Sequence, residues 1–584
     1  MRKTKIVATV GPASFKEEVL SRMIENGLNV ARFNFSHGTN EERKEQFALI
    51  KRLDERLKEP IGLMLDTKGP EIRVGSIQGG QVSLSDGDTL KITERDITGD
   101  ADRISINYRG DLSQIEKGTK ILLDDGLIEL EVQKMGEEWL LCEVKNGGLL
   151  EENRGVNIPG HSLDLPSVTE QDKEDIKFGI KHGIHFISAS FVRQAADVIE
   201  IKKLLREEWA RDIKIIAKIE NQEGVKNIDE IIEVSDGIMV ARGDLGVELP
   251  TEQVPVIQRK IIKKCSDCGK PVIIATEMLD SMIRNPRPTR AEASDVASAV
   301  FDGADAVMLS GETAVGSYPV EAVKTMARIA RETENSDSYR DKFRENKVEI
   351  SSTITEAIGF ASCKSAADLG AKAIVTPTGS GSTAIKVSQN RPLTPIIAVT
   401  PSGIVQHTLT LCWGVEPLLV GRSQSTDDMI DNAVDTALEA GLLSNGDLVT
   451  ITAGVPVGIP GTTNLIKLDI VGEPLARGQG IGQGIISGKV RKVCNADEAI
   501  SRVEEGNILI TPMTNEQYGA ALTRAGAIVT SEGGLSSHAA VLGLELDIPV
   551  IVNTGKIMDH IEDGDTVTVD GIRGYVYLGY VEVQ

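Results

Sequence analysis

Short, largely apolar segments alternate with longer amphipathic segments through the first half of the chain. Eight apolar segments lie at residues 5–10, 29–35, 61–66, 185–191, 214–219, 237–242, 271–276 and 304–309. They are near-continuously apolar, as strands buried on both faces are. Eight strand–helix units predict an α/β fold with a (β/α)₈ TIM barrel, in which catalytic groups come from the carboxyl ends of the strands.

A set of shorter segments interrupts this rhythm after the third strand. Residues 81–93, 105–108, 119–132 and 139–144 are typical of short strands joined by Gly and Asp turns. The barrel pattern resumes where Thr169 and Asp172 could cap a helix. We therefore predict a small β-barrel lid domain at 70–166, inserted between barrel segments 1–69 and 167–340. An insertion at this end of a barrel strand would lie over the active-site face.

The second half of the chain predicts two further domains. Strand-like segments at 373–376, 396–400, 414–419 and 448–453 alternate with helical patterns and predict an α/β domain at 341–473. A Gly-rich segment at 475–484 then leads into an extra C-terminal domain at 474–584.

Polar residues interrupt the apolar pattern at the ends of the fifth and sixth strands. Alternation along the fifth strand puts Lys218 and Glu220 on the same face, pointing into the barrel mouth. Asn221 follows them. Asp244 lies at the equivalent level after the sixth strand. Two carboxylates, with substrate oxygens and water, form a reasonable Mg²⁺ site. A simple ion pair between Lys218 and Glu220 is the alternative.

The second, third and seventh strands also end in polar residues. Arg32, Asn34 and Ser36 share one face of the second strand, whereas its phenylalanines take the other. An Arg, an amide and a hydroxyl projecting together suit a phosphate and a cation. Asp66 after the third strand and Thr276 after the seventh add a carboxylate and a hydroxyl. A structural polar network explains poorly why every such cluster falls at a strand end.

The composition excludes several classes of function. The net charge of −23 argues against a nucleic-acid partner, because phosphate neutralisation needs clustered Lys and Arg. The scattered cysteines do not form a disulfide framework. No apolar segment approaches the length of a membrane span, and the sequence begins without a signal-peptide pattern. We expect a cytoplasmic protein without membrane or nucleic-acid partners.

Six motifs in strand order resemble those of the pyruvate kinase family. They are ARFNFSHG (31–38), LDTKGPEIR (65–73), AKIEN (217–221), ARGDLG (241–246), ATEML (275–279) and MLSGETA (308–314). The resemblance covers about residues 1–470. It implies transfer of the phosphoryl group of phosphoenolpyruvate to ADP, giving pyruvate and ATP in the last step of glycolysis. It also implies Mg²⁺ (or Mn²⁺), K⁺, a phosphorylated allosteric effector and a homotetramer.

The resemblance assigns roles to individual residues. Lys218 would stabilise the transferring phosphoryl group and the enolate, and Arg32 would hold the phosphoryl group. Gly243, Asp244 and Thr276 would bind the substrate carboxylate, with Thr276 also catalytic. The remaining assignments are Glu220 and Asp244 for Mg²⁺; Asn34, Ser36, Asp66 and Thr67 for K⁺, with Glu71 at a position linked to K⁺ dependence; and Asn34, Phe35, Ser36, His37, Arg73 and Arg154 for the nucleotide. Arg154 stands where the family commonly has Lys. The enolate would be protonated through Thr276 and water or through a chain reaching Ser310.

A loop of small residues in the α/β domain precedes a helical pattern. Backbone amides at such a helix start can bind a phosphate. The family resemblance implies an effector site formed by Thr378, Ser380, Gly381, Ser382 and Thr383. An ordinary Ser/Thr helix cap is the alternative. Residues 455–463 could close over the site.

The extra domain contains TSEGGLSSHAA at residues 530–540, which resembles the phosphohistidine domain of phosphoenolpyruvate-utilising enzymes. His538 matches their phosphorylated histidine, although a structural or regulatory role for the domain is favoured. One alternative function is therefore a dikinase-like phosphotransferase, although no segment resembles its nucleotide-binding domain. The other is an inactive metabolite sensor, which would be expected to have damaged catalytic motifs.

Overall fold

A computed structural model of the protein describes residues 2–36, 38–161, 164–345, 353–423, 425–455, 463–472, 474–482 and 484–580. The described chain divides into two compact units. The first comprises Met1–Glu349 and Thr378–Leu419, and the second comprises Ile350–Pro377 and Val420–Gln584.

The first unit is built on the predicted barrel. Among its described residues, eight parallel strands close into a barrel in chain order, with the first strand paired to the eighth. The strands are Lys5–Thr9, Val30–Asn34, Gly62–Asp66, Phe186–Ala189, Lys214–Ile219, Gly237–Ala241, Val272–Ala275 and Ala306–Leu309. The fold prediction is confirmed, with strand ends shifted by one or two residues.

The barrel strands are buried on both faces, as their apolar pattern predicts. Inward side chains such as Val7, Met64 and Met239 form one core cluster, and outward ones such as Ile6 and Leu65 pack with the surrounding helices. These helices are Glu17–Glu25, Asn40–Leu57, Glu170–Lys181, Ala195–Glu207, Gln222–Lys226, Ile228–Val234, Arg242–Glu248, Val254–Cys268, Arg290–Asp302, Gly311–Ala314, Pro319–Asn335 and Asp337–Glu345. The predicted cap is confirmed, since Thr169 and Asp172 form a reciprocal capping box.

The insertion after the third strand is all-β, as predicted. In its described residues, a six-stranded sheet and a two-stranded sheet enclose a separate apolar core that includes Leu90, Ile121 and Leu130. The strands are Gln81–Leu84, Thr89–Thr93, Arg103–Ser105, Lys120–Leu123, Ile128–Gly136, Trp139–Asn146, Gly148–Glu151 and Val156–Asn157. We refer to residues 70–166 as the lid.

The elements of the predicted α/β domain contribute to both units. In the first unit, parallel strands Ile396–Thr400 and Val415–Leu419 accompany helices Ser382–Gln389 and Gly403–Leu409. The second unit contains strands Ala373–Pro377, Leu448–Gly454 and Thr463–Ile470 and helices Ile354–Asp368 and Thr426–Glu439.

The C-terminal part of the second unit has its own sheet and core. An eight-stranded sheet runs through the described residues after 474, and apolar clusters lie on it. The strands are Ala476–Arg477, Gln479–Ile481, Ile485–Lys492, Asn507–Thr511, Ala525–Thr530, Val550–Val552, Thr566–Asp570 and Tyr575–Leu578. The helices are Ala496–Arg502, Gly519–Leu522, His538–Leu546 and Ile557–His560.

Candidate active site

Lys218 lies at the carboxyl end of the fifth barrel strand, in a buried polar cluster. Its ammonium Nζ is 2.8 Å from Glu220 Oε1, 2.8 Å from Ser190 Oγ and 3.5 Å from Asp66 Oδ1. The side chain of Lys218 is only 10% exposed. The ion pair considered as an alternative is therefore present, but it is one part of a cluster that spans the ends of the third, fourth and fifth strands.

The two predicted Mg²⁺ ligands are carboxylates that burial makes difficult to charge. Burial raises the pKa of Glu220 to about 7, and nearby Asp244 adds to the rise while Lys218 opposes it. Burial likewise raises the pKa of Asp244, and the positive charge of Lys218 again opposes the rise. Phe191 N–H donates to Glu220 Oε2 over 2.5 Å and orients that carboxylate. A bound cation would favour the ionised form of both groups.

This pair of carboxylates suits a hard divalent cation whose coordination is completed by other oxygens. Among the described residues, no group of three or more His, Cys, Asp or Glu side chains is arranged to hold a metal ion. Two carboxylates alone would form only part of a coordination sphere. Substrate oxygens and water would supply the rest.

Arg32 lies on the second strand and is bound from both neighbouring strands. It donates to Thr9 Oγ1 over 2.7 Å and to Asp66 Oδ2 over 2.5 Å. Burial would raise the pKa of Asp66, but Arg32 and Lys218 outweigh it and the pKa is lowered. The buried Nε of Arg32 has no hydrogen-bond partner within the described part of the chain. The hydrogen-bonding capacity of that donor is therefore unused among the described residues.

The ends of the sixth and seventh strands meet at Thr276. Its hydroxyl accepts the Gly243 N–H over 2.7 Å and donates to Ala275 O over 2.7 Å. Thr276 has φ 64°, a left-handed conformation that costs energy for a β-branched residue and often marks a functional position. Arg242 donates to Thr276 O and holds this turn. The structure thus brings together Gly243 and Thr276, two residues of the predicted carboxylate site.

The residues predicted to bind K⁺ lie at the ends of two paired strands. Asn34 is the register partner of Asp66, and Asn34 Oδ1 accepts the Ser36 N–H over 3.0 Å. Thr67 N–H donates to Ser188 O over 3.0 Å and continues the ladder beyond the third strand. The donor set is amide, hydroxyl, carboxylate and carbonyl oxygen, which fits a hard cation.

The residues predicted to bind nucleotide differ in their surroundings. Arg73 pairs with Glu71 at 2.7 Å, and Arg154 in the lid pairs with Asp124 and Glu151. Phe35 is 5% exposed and its ring packs against other aromatic rings, so the ring is not placed to contact a nucleotide. His37 lies outside the described residues.

A cleft with a volume of about 600 Å³ opens between the barrel and the lid. The lid contributes Asp125 and the barrel contributes Asp244, Phe191 and Arg193 to its lining. Charged groups from both sides therefore face this space. Among the described residues its lining includes Asp244 but not Lys218, Arg32 or Thr276, so the cleft adjoins the Lys218 cluster at Asp244. The sequence did not indicate Ser190 or Phe191, because both follow an apolar strand without a charged residue to mark it.

The predicted effector loop turns sharply into helix Ser382–Gln389. Gly381 is the N-cap with φ 84°, and its N–H donates to Thr378 Oγ1 over 3.0 Å. The N-cap is a glycine without a side chain, and the Thr378 hydroxyl is the Ser/Thr group that accepts a backbone N–H at this helix start. Ser380 and Ser382 bond to each other over 3.1 Å. Most of the proposed closing loop at 455–463 lies outside the described residues.

His538 begins helix His538–Leu546, and its Nδ1 lies 3.2 Å from Thr514 Oγ1. The histidine is half-buried. It follows the loop that connects strand Ala525–Thr530 to this helix.

Comparisons with known proteins identify the family of this chain. A family model described as "Pyruvate kinase, barrel domain" matches residues 1–323, and one described as "Pyruvate kinase, alpha/beta domain" matches residues 356–468. The chain belongs to the pyruvate kinase family. The resemblance drawn from the six motifs is confirmed. A third model, "PEP-utilising enzyme, mobile domain", matches residues 503–574 and confirms the resemblance of the extra domain.

Relatives named "Pyruvate kinase" match over their whole length. Those from Geobacillus stearothermophilus, Bacillus licheniformis and Staphylococcus aureus (strain MRSA252) are 52%, 50% and 45% identical, with 100% of both chains covered in each case. Because these relatives include the extra domain, its presence does not favour the dikinase or sensor alternatives. No helix in the described ranges is long and apolar enough to cross a membrane.

Proposed function

We propose that this chain transfers the phosphoryl group of phosphoenolpyruvate to ADP, giving pyruvate and ATP. The buried ammonium of Lys218 carries the proposal, because it lies between Glu220 and Asp66, and Asp66 in turn binds Arg32. Family membership and the relatives' printed name support the same reaction.

Positioned charge would account for most of the catalysis, since phosphoryl transfer requires little covalent chemistry from the protein. Burial lowers the pKa of Lys218, but Asp66 and Glu220 outweigh it and raise the pKa. Lys218 therefore stays cationic and can stabilise both the phosphoryl group in flight and the enolate. The unpartnered Nε of Arg32 would bind the same phosphoryl group from the second strand, within the described site.

Glu220 and Asp244 are the proposed ligands of Mg²⁺ or Mn²⁺. The ion would neutralise charge on the phosphoryl and enolate oxygens when bound. The substrate carboxylate would take the Gly243 and Asp244 amides and the Thr276 hydroxyl, replacing the bond between Gly243 N–H and Thr276 Oγ1. The enolate would be protonated through Thr276 and water or through a chain reaching Ser310, whose buried Oγ has no partner among the described residues.

Asn34, Ser36, Asp66 and Thr67 would hold K⁺. Glu71 stands at the position that is linked to the dependence of the activity on K⁺. The nucleotide would contact the segment that follows the second strand together with Arg73 and Arg154. The two arginines are ion-paired with neighbouring acids, so nucleotide phosphates would have to compete with those acids. A phosphorylated effector at Thr378 and residues 380–383, a homotetrameric assembly and a cytoplasmic location complete the proposal.

A lactate dehydrogenase-coupled assay with phosphoenolpyruvate, ADP, Mg²⁺ and K⁺ tests the function. We expect NADH consumption that requires all four additions, and a loss of that signal in Glu220→Gln at low Mg²⁺. Absence of NADH loss with and without phosphorylated sugars and nucleotides would contradict the kinase proposal.

A further inference from the structure

Ser190 contributes a neutral hydroxyl to the charged cluster around Lys218. It follows the fourth barrel strand and is 7% exposed. Lys218 Nζ donates to Ser190 Oγ over 2.8 Å, the same distance that separates it from Glu220 Oε1. An ammonium has three N–H donors, and Ser190 Oγ and Glu220 Oε1 lie within hydrogen-bond distance of it. Asp66 Oδ1 is an ion-pair partner at 3.5 Å and accepts no hydrogen bond from the described residues.

The hydroxyl proton of Ser190 has a fixed direction. Ser190 Oγ–H donates to Thr67 O over 2.6 Å, and a carbonyl oxygen can only accept. The lone pairs of Ser190 Oγ therefore face Lys218. Ser190 N–H also donates to Thr67 Oγ1 over 3.1 Å, so two bonds to the end of the third strand hold the residue. This orientation requires no rearrangement when substrate arrives.

The other two partners of Lys218, Glu220 and Asp66, also interact with other groups. Glu220 is the proposed ligand of the divalent cation, and Asp66 Oδ2 already accepts from Arg32 over 2.5 Å. Asp66, and Glu220 once a cation is bound, are anionic and attract the ammonium away from a phosphoryl group. Ser190 restrains the ammonium without neutralising it. The charge of Lys218 thus remains available to the substrate.

We propose that Ser190 is a positioning residue that holds the Lys218 ammonium where phosphoryl transfer takes place. This inference rests on the proposed function. Without the hydroxyl, the ammonium would shift toward Glu220 or Asp66. A displacement of about 1 Å in such a site costs on the order of 10²-fold in rate. The loss should fall on the chemical step rather than on substrate binding, because Ser190 acts through Lys218.

Ser190→Ala, Ser190→Thr and a matched control test this role. We expect kcat to fall about 10–100-fold in Ser190→Ala, with KM for phosphoenolpyruvate changed by less than about threefold. Ser190→Thr restores the hydroxyl and should return kcat to within about fivefold of the unmodified chain. Ser235→Ala removes a buried hydroxyl before the sixth strand, at the other end of the barrel, and should leave kcat and KM unchanged.

Several results would overturn the proposal. They are an unchanged kcat in a folded Ser190→Ala variant, a loss confined to KM, or a Ser190→Thr variant no better than Ser190→Ala. Melting curves identify a variant that fails to fold. In that case Ser190→Cys keeps the size of the side chain with a weaker acceptor, and it should lower kcat at least about threefold; a normal kcat there would also contradict the role. An inactive unmodified chain would instead contradict the proposed function.

Discussion

At the scale of single residues, the placement of Lys218 and Glu220 followed from strand alternation alone. The same alternation set Phe35 on the face opposite Arg32, and its ring indeed lies in the core. Ser190 could not be predicted in this way. Its role depends on hydrogen bonds to Thr67 and Lys218 from two other strands, and no local pattern encodes such pairing. Asn221 caps helix Gln222–Lys226 by accepting the Gly224 N–H, which gives it a structural role.

Lys218→Met tests the assignment of the ammonium. Removing a preorganised charge that stabilises the transition state costs about 10²–10³-fold or more in kcat. We expect such a loss with the melting temperature nearly kept and Mg²⁺ binding, followed by calorimetry, retained. Lys214→Met at the opposite end of the same strand is the control and should keep full activity. Turnover above about a tenth of the unmodified rate would argue against the assigned role.

At the scale of elements, the predicted barrel strands were correct because their hydrophobic periods are strong, whereas their ends depend on specific contacts. The lid was predicted less exactly: the segments 81–93 and 119–132 each cover two strands, and the segment 105–108 overlaps strand Arg103–Ser105 by one residue. His185 was predicted within the fourth strand, but the strand begins at Phe186. The Leu63 N–H donates to His185 Nδ1 over 2.9 Å, which fixes the neutral tautomer. The ring stacks on His407 of helix Gly403–Leu409, with centroids 4.3 Å apart. No sequence period predicts this pair.

Both ring nitrogens of His407 face oxygen atoms that can only accept hydrogen bonds. Nε2 lies 2.7 Å from Asp54 Oδ2 and Nδ1 lies 2.6 Å from Gly403 O, so the geometry favours the imidazolium. Burial would lower the pKa of His407, but these two bonds outweigh it and raise the pKa, while Lys51 opposes them. The stabilisation is therefore fully present below the unfolded pKa, about 6.5, and is lost as pH rises through the folded pKa.

Asp54→Asn should lower stability in a pH-dependent manner. We expect a drop in melting temperature that is larger at pH 5.5 than at pH 9, because only the cationic ring depends on the carboxylate. A charge-assisted bond of this kind contributes about 1–2 kcal/mol when partly buried. Glu55→Gln, the next position in the same helix, serves as the control. An equal drop at both pH values would show that His407 is not charged in the folded protein.

At the scale of the whole molecule, linked motifs identified the family and the extra domain. The exact domain limits remain predictions, since the compact units divide the 341–473 segment between them. That division could not be predicted because strand order along the chain does not state which elements pack together. The C-terminal sheet has apolar clusters formed within residues 476–576. A core of its own is the property of a domain that can fold independently.

Removing the chain from residue 474 onward should therefore leave a folded enzyme. We expect activity within about threefold of the full chain.

In the full chain, ³²P-phosphoenolpyruvate should leave no acid-labile label on His538, because the reaction proceeds at the barrel. Label that disappears in His538→Ala, together with an inactive truncated chain, would instead support a phosphohistidine-dependent reaction.

The central claim is that the barrel cluster around Lys218 moves a phosphoryl group from phosphoenolpyruvate to ADP. The most direct measurement follows both phosphorus pools by ³¹P NMR in one sample containing Mg²⁺ and K⁺. We predict that the phosphoenolpyruvate signal falls as the γ-phosphate signal of ATP rises in equal amount, and that Lys218→Met nearly stops both changes. Inorganic phosphate in place of ATP, or equal conversion by Lys218→Met, would contradict it.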